Sequence, residues 1–150
     1  DCTFRKCDLT FVHLKGCRFA EASFDDCQLI GVNWTEAAWG RSVLHQPVAF
    51  ANCALNHSVF TGITLRGLKL TKCVARDVDF SECDLTRANC TGTDFADTRF
   101  VHTNLTEADF TGASNYAISA ALNTLKKTRF SLPEAISLLR NLDIILVDEE

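Results

Sequence analysis

Residues 79–95 read DFSECDLTRANCTGTDF. Every fifth letter from Phe80 is apolar: Phe80, Leu85, Cys90, Phe95. Two places before each stands a smaller residue: Val78, Cys83, Ala88, Thr93. A helix repeats at about 3.6 residues and a strand at 2, so a period of five belongs to neither. It fits a chain that turns a corner after each short extended piece, sending two side chains inward and three outward. Four such pieces close a square turn, and successive turns stack like parallel strands about 4.8 Å apart.

The same register runs outward in both directions. The large inward residues, or centres, run Phe4, Leu9, Leu14, Phe19, Phe24, Leu29, Trp34, Trp39, Leu44. The phase slips by one residue near His45-Gln46-Pro47. It resumes at Phe50 and holds every fifth residue to Phe110. If the slip is one bulged residue, every fourth centre shares a wall, and one wall collects Phe19, Trp39, Phe60, Phe80 and Phe100. A second collects Phe4, Phe24, Leu44, Leu65, Leu85 and Leu105. An all-aromatic ladder suits stacked rings. The expected fold is therefore all-β, a four-sided parallel coil over residues 1–112.

The pattern A/C-D/N-L/F-T/S-x, as in CDLTR (83–87), TDFAD (93–97), TNLTE (103–107) and ADFTG (108–112), resembles the pentapeptide-repeat family. The resemblance implies a right-handed quadrilateral β-helix. It names no function, because the repeat is shared by proteins of many roles.

The chain has 150 residues, 47% hydrophobic, with net charge −4. That is ample for one core, and the charge names no partner. No apolar run of about 18 residues could span a membrane. Seven of the eight Cys occupy the small inward position and the eighth is a centre. No Cys-x-x-Cys occurs, so small buried residues with free thiols are expected, not a metal site. Cys7 with Cys27, and Cys53 with Cys73, should be stacked neighbours, at a spacing a disulfide could span. No signal peptide opens the chain, so a reducing cytosol is the expected compartment. Asp1 falls partway through a repeat and Met is absent, so residues upstream are expected.

Residues 113–150 form the expected second unit. Ser131 and Glu134 have capping-box spacing, with Pro133 in the first turn. Leu132, Ile136, Leu139 and Leu142 make a helical stripe, and Ile144 to Val147 read as a strand. The unit either caps the coil or, the preferred reading, joins two chains in a homodimer through Leu132, Ile136, Leu139, Leu142, Ile144 and Leu146. The segments LIGVNWTEAAW (29–39), SNYAI (114–118) and TRFSLPEAISLLRNLDIILVD (128–148) resemble the gyrase-protecting pentapeptide-repeat proteins, the quinolone-resistance, albicidin-resistance and microcin B17-immunity types. That likeness implies a C-terminally joined dimeric rod imitating duplex DNA, with DNA gyrase or another type II topoisomerase as partner.

The charge is local. Residues 1–75 carry +2, residues 76–110 carry −5 and residues 111–150 carry −1. The acidic coils hold Asp77, Asp79, Glu82, Asp84, Asp94, Asp97, Glu107 and Asp109. In a C-terminal dimer these zones would meet, with enough potential to attract a basic groove. Asp79, Asp84, Asp94 and Asp109 precede centres, where Asp bonds to turn backbone. They read equally as structural residues. Glu82, Asp97 and Glu107 lie outside that slot and are the better contact candidates.

Nothing points to catalysis. His13, His45, His57 and His102 stand apart from any nucleophile, and no phosphate-binding or nucleophile motif occurs. A core filled by side chains leaves no pocket. Arg5, Lys6, Arg18, Lys69 and Lys72 are scattered without aromatic interleaving, so direct nucleic-acid binding is not expected. No cofactor, metal or small-molecule substrate is expected. The functional choice lies between a DNA-mimicking topoisomerase partner and a scaffold of the same fold.

Overall fold

The computed structural model describes residues 2–40 and 48–149. The chain winds into a right-handed quadrilateral β-helix of parallel coils. One wall carries strands β1 (Thr3–Arg5), β2 (Ser23–Asp25), β3 (Ala49–Ala51) and β4 (Lys69–Thr71), paired in that order and all parallel. Strands β5 (Asp109–Phe110) and β6 (Arg129–Phe130) pair likewise. The other walls are joined by single parallel bridges, mostly 20 residues apart, such as Val59 to Asp79 and Asp79 to Arg99.

Each corner repeats three features around its centre. The Asp or Asn before a centre accepts a hydrogen bond from the amide two residues on, as Thr86 N gives to Asp84 Oδ1 (3.1 Å) and Thr106 N to Asn104 Oδ1 (3.1 Å). The second residue after a centre has positive φ, as at Arg87 (60°) and Glu107 (57°). An amide then closes the turn, Ala88 N donating to Leu85 O at 3.0 Å. A left-handed residue inside a closed turn fits a type II turn. This slot takes Gly at several corners, Gly92 and Gly112 among them, and elsewhere residues as different as Phe11, Asn52, Lys72, Arg87, His57, Asp97 and Glu107. The fold demands the backbone conformation there, not a particular charge.

Inside, the centres form ladders. Trp34 stacks on Phe60 (5.4 Å, 6°), Phe60 on Phe80 (4.9 Å, 15°) and Phe80 on Phe100 (5.7 Å, 11°). The first wall stacks Phe4 on Phe24 and Phe24 on Phe50. Where the small inward position is Thr, its hydroxyl donates to a carbonyl of the preceding coil: Thr93 to Leu70 O (2.7 Å), Thr103 to Phe80 O (2.8 Å), Thr98 to Ala75 O. These threonine hydroxyls are thereby paired, the usual condition in a dry core, whereas Tyr116 Oη and Trp34 Nε1 are buried without a hydrogen-bond partner among the described residues.

The expected ladder is corrected at its upper end. Phe24 lies beside Phe50 and Asn33 beside Val59, offsets of 26 residues, so the second coil holds six residues beyond the usual 20. Trp34, not Trp39, therefore stands above Phe60. Ala38 N still bonds Cys17 O, so the surplus falls after Ala38. Leu44 and His45 lie outside the described residues. Trp39 packs beside the ladder and donates its Nε1–H to Trp34 O at 2.7 Å. Phe19 meets Trp34 edge-on at 5.3 Å instead of stacking in that column. The inward Cys are also not all covered. Cys2 and Cys17 are exposed and Cys7 is half-buried, because one side of the first coil has no described coil against it.

The coil continues past residue 112: Asn104 pairs with Thr124 and Phe110 with Phe130. A 3₁₀ helix, Glu134–Asn141, then covers part of the end. The expected capping box does not form. Ser131 Oγ accepts from Gly112 N (2.9 Å), Glu134 Oε2 accepts from Asn115 N (3.3 Å), and Pro133 holds the N-cap position without a side-chain bond. Ser137 Oγ donates to Tyr116 O (3.2 Å) and Asn141 Nδ2 to Ile118 O (2.9 Å). The helix side chains thus satisfy edge groups of the last coil that another coil would otherwise bond. Leu138 packs on the core. Ile144 to Val147 form no strand, since this part of the chain offers them no bonded neighbour.

Candidate functional site

The eight acidic side chains divide by what they touch. Asp79, Asp84, Asp94 and Asp109 each accept an amide two residues on, from Ser81 (2.9 Å), Thr86 (3.1 Å), Ala96 (3.0 Å) and Thr111 (2.9 Å). Their corner role is thus on display in all four. Cations of neighbouring coils answer two of them: Arg66 Nε lies 2.6 Å from Asp84 Oδ2 and Arg76 Nε 3.5 Å from Asp94 Oδ2. Asp77 Oδ2 lies 2.7 Å from His57 Nδ1, and Glu107 Oε2 accepts from Arg87 Nε at 2.7 Å. The Glu82 and Asp97 side chains have no hydrogen bond or ion pair among the described residues. Both sit in left-handed corner slots, with φ of 60° and 58°, which aims the backbone outward without specifying the side chain.

The sequence alone separates the corner acids from the rest but misses the arginine partners. Those lie 18 or 20 residues away, one coil distant, and could have been found by reading the sequence at the coil length instead of the repeat length.

The carboxyls at the corners are tuned. Burial pushes the Asp84 carboxyl up, but hydrogen bonds from the Thr86 hydroxyl, Arg66 and the Thr86 amide outweigh it and hold it below the ordinary value. Burial acts likewise on Asp79 and is outweighed by the Ser81 hydroxyl and amide and by Thr61. The Thr111 hydroxyl lowers Asp109. A carboxyl whose folded value is depressed stabilises the fold above its unfolded value, near 4, and loses that contribution as pH falls through the folded value. Unfolding free energy measured against pH should therefore stay flat from 7 to about 5 and decline below about 4. Asp84→Asn should shallow that acid limb. An unchanged limb would contradict the assignment.

The C-terminal residues expected at an interface are all exposed in the single chain: Leu132 (79%), Ile136, Leu139, Leu142, Ile144 and Leu146, joined by Ile145 (90%) and Val147. Between helix and coil runs a surface cleft of about 680 Å³, lined by Arg76, Asp97, Tyr116, Glu134, Ser137 and Arg140 among others. The expectation of no pocket fails at this junction, because the helix bridges the coil end through long side chains.

Stacked five-residue corners, an aromatic ladder and parallel 20-residue coils define a repeat solenoid. Residues 1–44 match the family model for pentapeptide repeats and residues 41–110 match that for a pentapeptide repeat region. The chain belongs to the pentapeptide-repeat family. Its fold is similar to that of full-length QnrB1, a plasmid-mediated fluoroquinolone resistance protein: TM-score 0.70, 16% identity, covering 94% of this chain and 68% of that one. HetL, from the cyanobacterium Nostoc and involved in heterocyst differentiation regulation, aligns with TM-score 0.40 and 16% identity over 85% of this chain and 84% of its own. No curated protein sequence matches at a significant level.

Proposed function

We propose that this chain is a non-enzymatic, cytosolic binding protein that presents its acidic coils to the DNA-binding surface of a type II topoisomerase, such as gyrase, and shields it from an inhibitor or toxin. One observation carries the reading. The −5 segment, residues 76–110, occupies consecutive coils next to the C-terminal unit, and the two acids whose side chains have no partner among the described residues, Glu82 and Asp97, stand where the fold needs no acid. The fold shared with a fluoroquinolone resistance protein agrees with it. Purified gyrase, assayed for supercoiling with and without a fluoroquinolone or albicidin, tests it. Micromolar protein should bind gyrase and restore supercoiling in the presence of the drug. Absence of both effects would exclude the reading.

A second reading, a protein-interaction scaffold with no topoisomerase role, is favoured by the engagement of the other six acids in corners and ion pairs. The same assay separates the two.

The reading includes a homodimer through Leu132, Ile136, Leu139, Leu142, Ile144 and Leu146. The exposed apolar side chains of residues 132–147 support it, because burying them favours association. Light scattering should give twice the 16.6 kDa chain mass, and Ile136→Lys with Leu139→Lys should return the monomer without loss of the coil signal in circular dichroism. A monomeric wild type would dismiss this part.

A further inference from the structure

The six-residue surplus of the second coil places Cys27 beside Cys53; a single bulged residue would have put it beside Val48. Gln28 N bonds Cys7 O (2.9 Å), Ala54 N bonds Cys27 O (3.0 Å), Val74 N bonds Cys53 O (2.9 Å) and Asp94 N bonds Cys73 O (3.0 Å). Cys7, Cys27, Cys53 and Cys73 therefore form one column, a thiol per coil, with Thr93 next in line. Parallel neighbours at about 4.8 Å fall inside the Cα range that a disulfide spans. All four thiols are free. Exposure is graded along the column: Cys7 is half-buried, whereas Cys27, Cys53 and Cys73 are each 2% exposed. Cys27 Sγ lies 3.4 Å from both Phe4 O and Asp25 O, and Cys53 Sγ 3.4 Å from Phe24 O and 3.2 Å from Ala51 O, so each thiol reaches the coil before it as well as its own.

We propose that this column is a thiol-oxidation site that takes one disulfide from a glutathione-class disulfide at Cys7 and passes it inward to Cys27–Cys53. Thiol–disulfide exchange proceeds by thiolate attack on a disulfide sulfur, through a mixed disulfide. The Cys7 thiolate attacks the small disulfide and releases one small thiolate, leaving a mixed disulfide. The Cys27 thiolate attacks the Cys7 sulfur and releases the second, leaving Cys7–Cys27. Two protein thiols are now oxidised, one small disulfide is reduced to two thiols, and the two protein protons pass to them. The Cys53 thiolate then attacks the Cys27 sulfur and expels the Cys7 thiolate, a step with no net redox change. Attack along the breaking bond suits sulfurs stacked on one line. Cys53 is the next thiol in line and its Sγ reaches back to the coil of Cys27 through Phe24 O, so it is the attacker. Cys73 Sγ donates to Thr71 O of its own coil (3.3 Å) and, unlike Cys27 and Cys53, to no carbonyl of the coil before it among the described residues, so the exchange stops at Cys53. Burial raises the Cys27 thiol above its ordinary value.

The test is incubation of the folded 150-residue chain with oxidised glutathione, acid quench, alkylation in denaturant and non-reducing peptide mapping. A peptide pair joined through Cys27 and Cys53, with Cys7 alkylated, is expected. Cys7→Ser should slow its appearance about tenfold or more, since exchange needs an accessible entry thiol. Cys53→Thr, which copies the residue native at Thr93, should keep the fold and leave the disulfide at Cys7–Cys27. Eight alkylated cysteines, or glutathione confined to Cys2, Cys7 and Cys17, would overturn the proposal. So would a Cys27–Cys53 bond forming equally fast in Cys7→Ser.

Discussion

Phe60→Ala is expected to lower unfolding free energy by about 3–5 kcal/mol, the range for a large aromatic deleted from a rigid core. Phe60 has no exposed surface and lies face to face between Trp34 and Phe80, with Phe50 meeting it edge-on at 6.2 Å. No neighbour can move in, because each ring is held by its own coil's hydrogen bonds. In a solenoid each coil contacts only its neighbours, so the lost contact falls at one interface. Trp39→Ala makes the matching control. Trp39 is only partly buried, and its loss removes edge packing and the hydrogen bond to Trp34 O, about 1–2 kcal/mol. Chemical denaturation of the two variants distinguishes the observed ladder from the one that places Trp39 above Phe60. Equal losses would contradict the observed ladder.

Glu82→Lys combined with Asp97→Lys should weaken topoisomerase binding by about a hundredfold at low salt, because like charges brought together at an interface cost several kcal/mol. The double change moves residues 76–110 from −5 to −1. Neither carboxylate is tied to the corner backbone, and lysine already occupies the same left-handed slot at Lys6, Lys72 and Lys127, so the fold should survive. Asp84→Lys is the contrast: it breaks the Thr86 bonds and the Arg66 pair and should destabilise the coil itself. Binding measured by surface plasmon resonance, with circular dichroism alongside, reads the two apart. Full binding by the folded double variant would remove the acidic coils from the contact.

The period of five made the β-helix legible because each corner repeats the same local chemistry. It could not count the walls of the second coil. An offset of 21 and an offset of 26 leave the same remainder when divided by five, so Phe50 is in phase either way. The pattern fixes phase, and only coil-to-coil bonds such as those of Phe24 with Phe50 fix the number of residues between. At the C-terminus local rules gave way to longer-range ones. Ser131 and Glu134 have the spacing of a capping box, yet the open edge at Gly112 and Asn115 offers both side chains partners that a local reading cannot see. Among the acids, the corner role of Asp79, Asp84, Asp94 and Asp109 was readable from their slot, whereas the neutralising Arg66 and Arg76 were not.

The side-chain closure by Ser131, Glu134, Ser137 and Asn141 also limits growth. An open parallel edge is a template for further backbone pairing and so for fibres. Here several edge groups of the last coil are already taken by groups that cannot themselves extend a strand ladder. Two molecules meeting at this end must join through the side chains of residues 132–147. In the proposed homodimer, contact of that kind would favour a finite pair over an unlimited chain, and the number of coils would then work as a ruler for the length of the pair.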